Sequence, residues 1–178
     1  MPRYWIVTCL DSGMVGGGLW VRWYEEKCVA IGWSPDKYAL EGPTGNGGWK
    51  FARTQMKKIR IGDKVIPFLK KWRIGPVGIV TAVRVADDEW NPTLLASERK
   101  KGKGDDFGRR ISVKWQEVRM PNDGRVALIP KSKRPDSPFA RIARHTVEEL
   151  SPQRFHNLCS VLSDPANWIY TKKKVPTA

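Results

Sequence analysis

The chain lacks long apolar runs and is poor in cysteine, histidine and acidic residues. A bilayer span needs an apolar run of about 20 residues, and none is present. The opening MPRYWIVTCL also lacks the longer apolar core of a secretory signal. We therefore expect a cytoplasmic protein without membrane contact. Cys9, Cys28 and Cys159 are widely spaced among apolar residues, which favours buried thiols over a disulfide framework.

Residues for catalysis or metal binding are scarce as well. With two histidines and no Cys-x-x-Cys pair, we expect no zinc site and no other cofactor. The glycine-rich stretches at 16–18 and 45–48 lack the Lys-Ser/Thr of a phosphate-binding loop. The candidate magnesium ligands of a nuclease lie in segments with loop composition, where solvated carboxylates are the usual outcome; they are Asp87, Asp88, Glu89, Asp105 and Asp106.

Two residue classes are abundant. Lys and Arg number 32 against 18 Asp and Glu, which gives a net charge of +14 and indicates a polyanionic partner such as nucleic acid. The chain also has nine tryptophans, more than one core of this size is expected to bury. An excess of both classes is typical of proteins that stack bases on aromatic rings and hold the phosphates with cations.

The length of 178 residues favours a single domain, which we place at 1–170, followed by a basic tail at 171–178. Apolar and β-branched patterns predict strands at 4–10, 27–33, 64–69, 77–85 and 111–118. A short helix or turn is predicted at 19–24 and a basic helix at 49–59. The strand at 64–69 contains Pro67, which is best tolerated at a sheet edge or bulge.

Residues after the last predicted strand are expected to be helical. Thr146 and Glu149 have the spacing of a capping box. Ser151 followed by Pro152 predicts the start of a helix that extends to Leu162.

The tryptophans differ in their sequence context. Trp5 and Trp115 lie in the middle of predicted strands and are expected in the core. Trp33 ends an apolar run in VAIGWSPD, where the backbone must turn at Ser-Pro, so its ring either covers the core or faces a ligand. Three further tryptophans lie near basic loops: Trp49, Trp72 and Trp90. For each of them the ring again either covers the core or faces a ligand. The sequence context of Trp20, Trp23 and Trp168 favours neither a core position nor a ligand-facing position.

The order of these elements resembles the PUA-like superfamily, and within it the EVE and YTH branches. The resemblance covers most of residues 3–118 and depends on the YWIV opening strand, the VAIGWSPD segment, GDKVIPF, PVGIVTAVRV and ISVKWQEV. It implies an α+β fold, a compact mixed β-barrel flanked by helices. It also implies a non-enzymatic reader that receives an extruded modified base in an aromatic cage.

Carried over by position, the resemblance places a first cage wall at Trp33 and a second at Trp90. Ser34 and Asp36 would then hydrogen-bond the base edge. The third wall stays open among Trp20, Trp23 and Trp49. The base implied is methylated adenine, or methylated or hydroxymethylated cytosine.

Basic residues are expected to hold the phosphates of this nucleic acid: Lys57, Lys58, Arg60, Lys70, Lys71, Arg73, Arg99, Lys100, Lys101 and Lys103. The expected partner is thus DNA or RNA carrying a modified base, with a separate nuclease or other effector as a further partner. Three alternatives remain: a PUA- or ASCH-type RNA-binding domain indifferent to modification, a metal-dependent nuclease, and a protein-interaction module that uses exposed tryptophans as anchors.

Overall fold

The computed structural model describes residues 1–9, 19–31, 54–70, 72–84, 109–116, 126–134 and 147–169. The helices in these ranges are α1 (Leu19–Glu25) and α2 (Pro152–Ser163), with 3-10 turns at Lys131–Lys133 and Pro165–Asn167. The strands are β1 (Tyr4–Cys9), β2 (Cys28–Ile31), β3 (Lys64–Leu69), β4 (Arg73–Ile74), β5 (Gly78–Arg84), β6 (Arg109–Trp115), β7 (Val126–Leu128), β8 (Val147–Leu150) and β9 (Trp168–Ile169).

These strands form one mixed sheet in the order β2-β6-β5-β3-β4-β7-β9, with β1 beside β3 and β8 beside β1. The pairing of β1 with β3 is parallel, and all other pairings within the described ranges are antiparallel. The fold is α+β and compact, with a barrel-like mixed sheet, which confirms the predicted fold class. None of the described helices has both the length and the apolar character that crossing a membrane would require.

The central strands are buried on both faces, which explains their nearly continuous apolar sequences. Trp5 and Val7 of β1 belong to one apolar cluster, while Ile6 between them belongs to another. The second cluster is covered by α2, whose buried side chains are Phe155, Leu158, Val161 and Leu162. Ser151 caps this helix by accepting a hydrogen bond from the Arg154 backbone N–H at 3.3 Å, as the Ser-Pro pattern predicts.

A buried carboxylate joins the chain start to β3. Asp63 accepts hydrogen bonds from the backbone N–H of Arg3, the backbone N–H of Arg60 and the Trp5 indole N–H, each at 2.9 Å. Gly62, with φ of +88°, makes the tight turn before β3 that places this carboxylate next to β1. The arrangement therefore satisfies the polar edge of a tryptophan ring in the core.

Two predicted helical segments differ from the structure. The helix predicted to reach Ile59 ends at residue 56, where residues 57–58 turn toward Asp63. The capping box of Thr146 and Glu149 does not start a helix, because Val147–Leu150 forms β8 instead. This strand pairs with β1 over Tyr4–Val7 and supplies the backbone partners that the other edge of β1 needs.

Pro67 lies inside the sheet and not at an edge, contrary to the prediction. Its strand β3 pairs with β5 at Lys64 and Val65, and with β4 at Phe68 and Leu69. The Pro67 carbonyl accepts a hydrogen bond from the Gly75 N–H at 2.9 Å. Since the missing N–H falls where β3 changes from one partner strand to the other, the sheet has no ladder bond to lose there.

Gly75 is required for packing of the Trp20 ring. A Cβ placed at Gly75 would lie 2.5 Å from Trp20 Cη2, and Trp20 is fully buried. We expect Gly75→Ala to lower the free energy of unfolding by about 1–3 kcal/mol, because the ring or the β4–β5 connection must shift. Urea unfolding measures this loss. In a Trp20→Phe background most of the cost should disappear, and an undiminished cost there would refute the steric cause.

Candidate nucleic-acid interface

The strands that precede Trp33 and Trp90 are β2 and β5, and they finish at the same end of the sheet on either side of β6. In β2, Ile31 is opposite Arg109 of β6, and in β5, Arg84 is opposite Arg110 of the same strand. Because both β2 and β5 are antiparallel to β6, they run parallel to each other and finish at one end of the sheet. We call the end formed by these four residues the upper end.

The geometry of the upper end is compatible with a paired arrangement of the two tryptophans. With β6 between them, the ends of β2 and β5 are about 10 Å apart, two strand spacings. Trp33 follows Ile31 by two residues and Trp90 follows Arg84 by six, and chain of these lengths reaches up to roughly 7 and 21 Å. Both tryptophans lie outside the described residues, as do Ser34, Asp36 and Trp49, so their assignment to a cage stays a prediction.

Three arginines also occupy register positions at the upper end. Arg84 ends β5, and Arg109 and Arg110 begin β6. Nothing in the sequence singled out these arginines, because they adjoin a long polar segment whose strand boundaries its composition does not define. Three basic residues thus occupy backbone positions at the upper end, where β2 and β5 finish.

Trp20 and Trp23, two candidates for the third wall, are fully buried on α1. The Trp20 ring meets Trp115 edge to face at a centroid distance of 5.5 Å, and Tyr24 stacks on Trp115 at 6.0 Å. The Trp115 indole N–H donates to the Tyr24 carbonyl at 3.1 Å. These contacts place Trp20 in the core packing of α1 against the sheet.

Trp23 differs from its neighbours in its polar atom. Its indole Nε1 is buried and has no hydrogen-bond partner in the part of the chain that the structure describes. The buried indoles of Trp5 and Trp168 are each satisfied, the first by Asp63 and the second by the Leu162 carbonyl at 2.9 Å. An unsatisfied buried donor costs about 1–3 kcal/mol, so Trp23 retains unused hydrogen-bonding capacity.

The predicted phosphate-binding residues fall into separate groups. Lys57, Lys58 and Arg60 are exposed and precede β3, near the middle of the sheet. The Arg60 guanidinium donates to the carbonyls of Lys57 and Ile59, which holds it against its own turn. The five predicted residues that lie outside the described ranges are Lys71, Arg99, Lys100, Lys101 and Lys103.

Lys70 and Arg73 lie far from the upper end. Six residues of β5 separate Arg84 from Gly78, which is opposite Val65, and four more residues of β3 lead to Leu69. This path is roughly 33 Å of extended strand. We call the end formed by Leu69, Trp72 and Arg73 the lower end. Lys70 and Arg73 therefore lie at the opposite end of the sheet from the predicted base site.

The described residues offer no cluster of three or more His, Cys, Asp or Glu side chains that could hold a metal ion. The loop carboxylates proposed as nuclease ligands lie outside these residues. Cys9 and Cys28 are buried as predicted, whereas Cys159 on α2 is partly exposed. Burial raises the pKa of the Cys159 thiol, and the nearby Lys64 ammonium acts in the opposite direction.

No family model and no curated protein matches the chain. Among solved structures, it is similar to the Pho92 YTH domain in complex with m6A, with a TM-score of 0.50 and 13% identity over 94% of this chain and 89% of that chain. It is also similar to Rpa0253 from Rhodopseudomonas palustris (TM-score 0.45, 14% identity, 89% and 92% covered) and to the MmI1 YTH domain (TM-score 0.42, 13% identity, 90% and 94% covered). At this identity the likeness concerns the fold, and the predicted YTH-like fold is confirmed.

Proposed function

We propose that this protein binds nucleic acid and receives an extruded modified base between Trp33 and Trp90, without catalysing a reaction on it. The observation that carries the proposal is the parallel course of β2 and β5, which end together at the upper end beside Arg84, Arg109 and Arg110. The strands that precede these two tryptophans, 57 positions apart in the sequence, thus end together, which supports a site built from both rings.

The energetics favour such a site. Extruding a base costs a few kcal/mol, and stacking on an aromatic ring returns about 1–3 kcal/mol per base. The net charge of +14 adds attraction to the phosphates. Ser34 and Asp36 lie one and three positions after Trp33 and supply a hydroxyl and a carboxylate acceptor, respectively, for the base edge.

Trp23 remains one candidate for the third wall, with a buried indole N–H that has no hydrogen-bond partner among the described residues. Trp49 is the other candidate for the third wall. Trp20 supports the site indirectly, by packing α1 against Trp115.

The Pho92 YTH domain, which shares this fold, was crystallised with m6A, and methylated adenine is accordingly the first base to test. Methylated and hydroxymethylated cytosine are the other candidates. A separate nuclease or other effector would act on the nucleic acid after this domain has bound it.

Tryptophan fluorescence titrations with short oligonucleotides test the proposal. The set comprises DNA and RNA, single- and double-stranded, unmodified or carrying methylated adenine, methylated cytosine or hydroxymethylated cytosine, at about 50 and about 200 mM salt. We expect one modification to bind at least several-fold tighter, with the preference retained at the higher salt. Equal binding to all, lost at the higher salt, would refute the reader and favour an RNA-binding domain indifferent to modification.

A nuclease is tested in the same series by adding magnesium. Strand cleavage that survives Trp33→Ala and disappears with Asp105→Asn and Asp106→Asn would replace the proposed reader with an enzyme. We expect no cleavage from either the wild-type protein or the variants.

A further inference from the structure

The backbone of Trp72 at the lower end has an unusual conformation. Its φ of +59° lies in the left-handed region, which bulky side chains rarely adopt. The Ile129 N–H donates to the Trp72 carbonyl at 2.8 Å and ties this residue to the segment after β7. Trp72 thus combines a strained backbone conformation with a half-buried ring at the protein surface.

The Trp72 ring organises a cationic neighbour. Phe68 meets it edge to face at a centroid distance of 6.4 Å, and Arg134 Cζ lies 5.5 Å from the ring centroid. Arg134 Nε also donates to the Ile129 carbonyl at 3.1 Å. One guanidinium is therefore fixed beside an aromatic ring, a pairing that nucleic-acid-binding surfaces use.

Three exposed lysines flank this pair: Lys70, which precedes the turn at Trp72, and Lys131 and Lys133, which lie on the 3-10 turn before Arg134. Lys133 Nζ lies 3.3 Å from Ser160 Oγ. None of the three lysines forms an ion pair with a carboxylate in the described ranges, where Arg3–Glu149 and Arg154–Glu148 are the examples of such pairs. Among the described residues, no carboxylate neutralises their positive charges.

We propose that this lower-end surface, formed by Lys70, Trp72, Lys131, Lys133 and Arg134, binds the phosphodiester backbone of nucleic acid outside the base site. The inference rests on the proposed function for the nature of the partner. The path along β5 and β3 between the two ends is about 33 Å of strand, and we expect a short oligonucleotide to contact only one end. A long oligonucleotide contacts both ends and gains affinity that depends on salt but not on base identity.

The test compares two double variants with the same loss of charge. K131Q/K133Q alters the lower-end surface, whereas K27Q/K114Q removes two exposed lysines near the paired ends of β2 and β6. Each variant and the wild type are titrated with modified single strands of about 5 and about 16 nucleotides, the range of site sizes known for single domains. Affinity is measured over a series of salt concentrations, and thermal melting checks the fold.

For the long strand, K131Q/K133Q should reduce the slope of log affinity against log salt by about 1.4, while K27Q/K114Q leaves it near the wild-type value. Neither variant should change the slope or the base preference for the short strand. Equal slopes for the two variants on the long strand would overturn the lower-end surface and leave the proposed function standing. If the wild-type protein shows no preference for the modified base, the proposed function itself is refuted.

A different occupant is also distinguishable. If K131Q/K133Q binds the long strand like wild type but loses binding to vesicles of phosphatidylcholine and phosphatidylserine, the surface serves a membrane and the inference is wrong. We expect no difference between the variants on these vesicles.

Discussion

Replacing Trp33 by alanine is expected to abolish the preference for a modified base and to leave salt-dependent binding to unmodified strands unchanged. Loss of one stacking face corresponds to about 1–3 kcal/mol, or roughly a 5- to 150-fold loss of affinity for the modified oligonucleotide. Phosphate contacts do not depend on this ring, so the background should persist. Titration of modified and unmodified strands with the same variant gives the ratio directly.

Trp72→Ala is the matched control, because it removes the same ring at the opposite end of the sheet. It should retain the preference for the modified base while weakening binding to long strands. If Trp33→Ala lowers affinity for modified and unmodified strands equally, the ring is part of the core and the cage does not exist. Circular dichroism and thermal melting separate that outcome from unfolding.

The second large effect is expected at Asp63, as a loss of stability. Asp63→Ala leaves the Arg3 N–H, the Arg60 N–H and the Trp5 indole N–H without their acceptor. The free energy of unfolding should fall by about 3–5 kcal/mol, since buried donors without a partner each cost about 1–3 kcal/mol and the partly exposed ones are partly rescued by water. Urea unfolding at neutral pH measures the loss.

Asp63→Asn serves as the isosteric control and should cost less than Asp63→Ala, because one side-chain oxygen still accepts. Trp5→Phe removes the indole donor, and a double-mutant cycle with Asp63→Asn isolates the contribution of that hydrogen bond. A loss below about 1 kcal/mol for Asp63→Ala would show that solvent satisfies all three donors and that this carboxylate does not stabilise the turn.

Much of the sheet was predictable from local sequence. The strands β1, β2, β3, β5 and β6 are each rich in apolar and β-branched residues and lie next to turn signals, and all were predicted within a few residues. Ile111, Val113 and Trp115 alternate with polar residues and are buried on one face as expected. In these segments local pattern and tertiary packing require the same residues.

The strands missed near the chain end carry no such pattern. β7 has three residues and β9 has two, too few to show a period. β8 reads VEEL, and its Glu149 matches a capping box with Thr146 as well as it matches a strand. Only the open edge of β1, a tertiary feature, decides in favour of the strand.

The candidate site depends on topology that no single segment contains. Trp33 and Trp90 were chosen by resemblance and local context, but the proximity of their strands follows from β6 pairing with both β2 and β5. The same topology puts Lys70 and Arg73 at the opposite end of the sheet from the ends of β2 and β5. Burial of Trp20 and Trp23 was equally beyond prediction, because a short amphipathic segment does not reveal which face meets the sheet.

The position of β1 between β3 and β8 has a consequence for synthesis of the chain. Its parallel partner β3 is about 60 residues away and its antiparallel partner β8 about 140, so most of its pairing is non-local. A ribosome must translate past residue 150 before both sides of β1 can pair. Until then the nascent chain exposes an apolar strand, YWIVTC, that favours association with other chains. Slow translation between residues 70 and 150 should therefore increase the need for chaperones and lower the soluble yield.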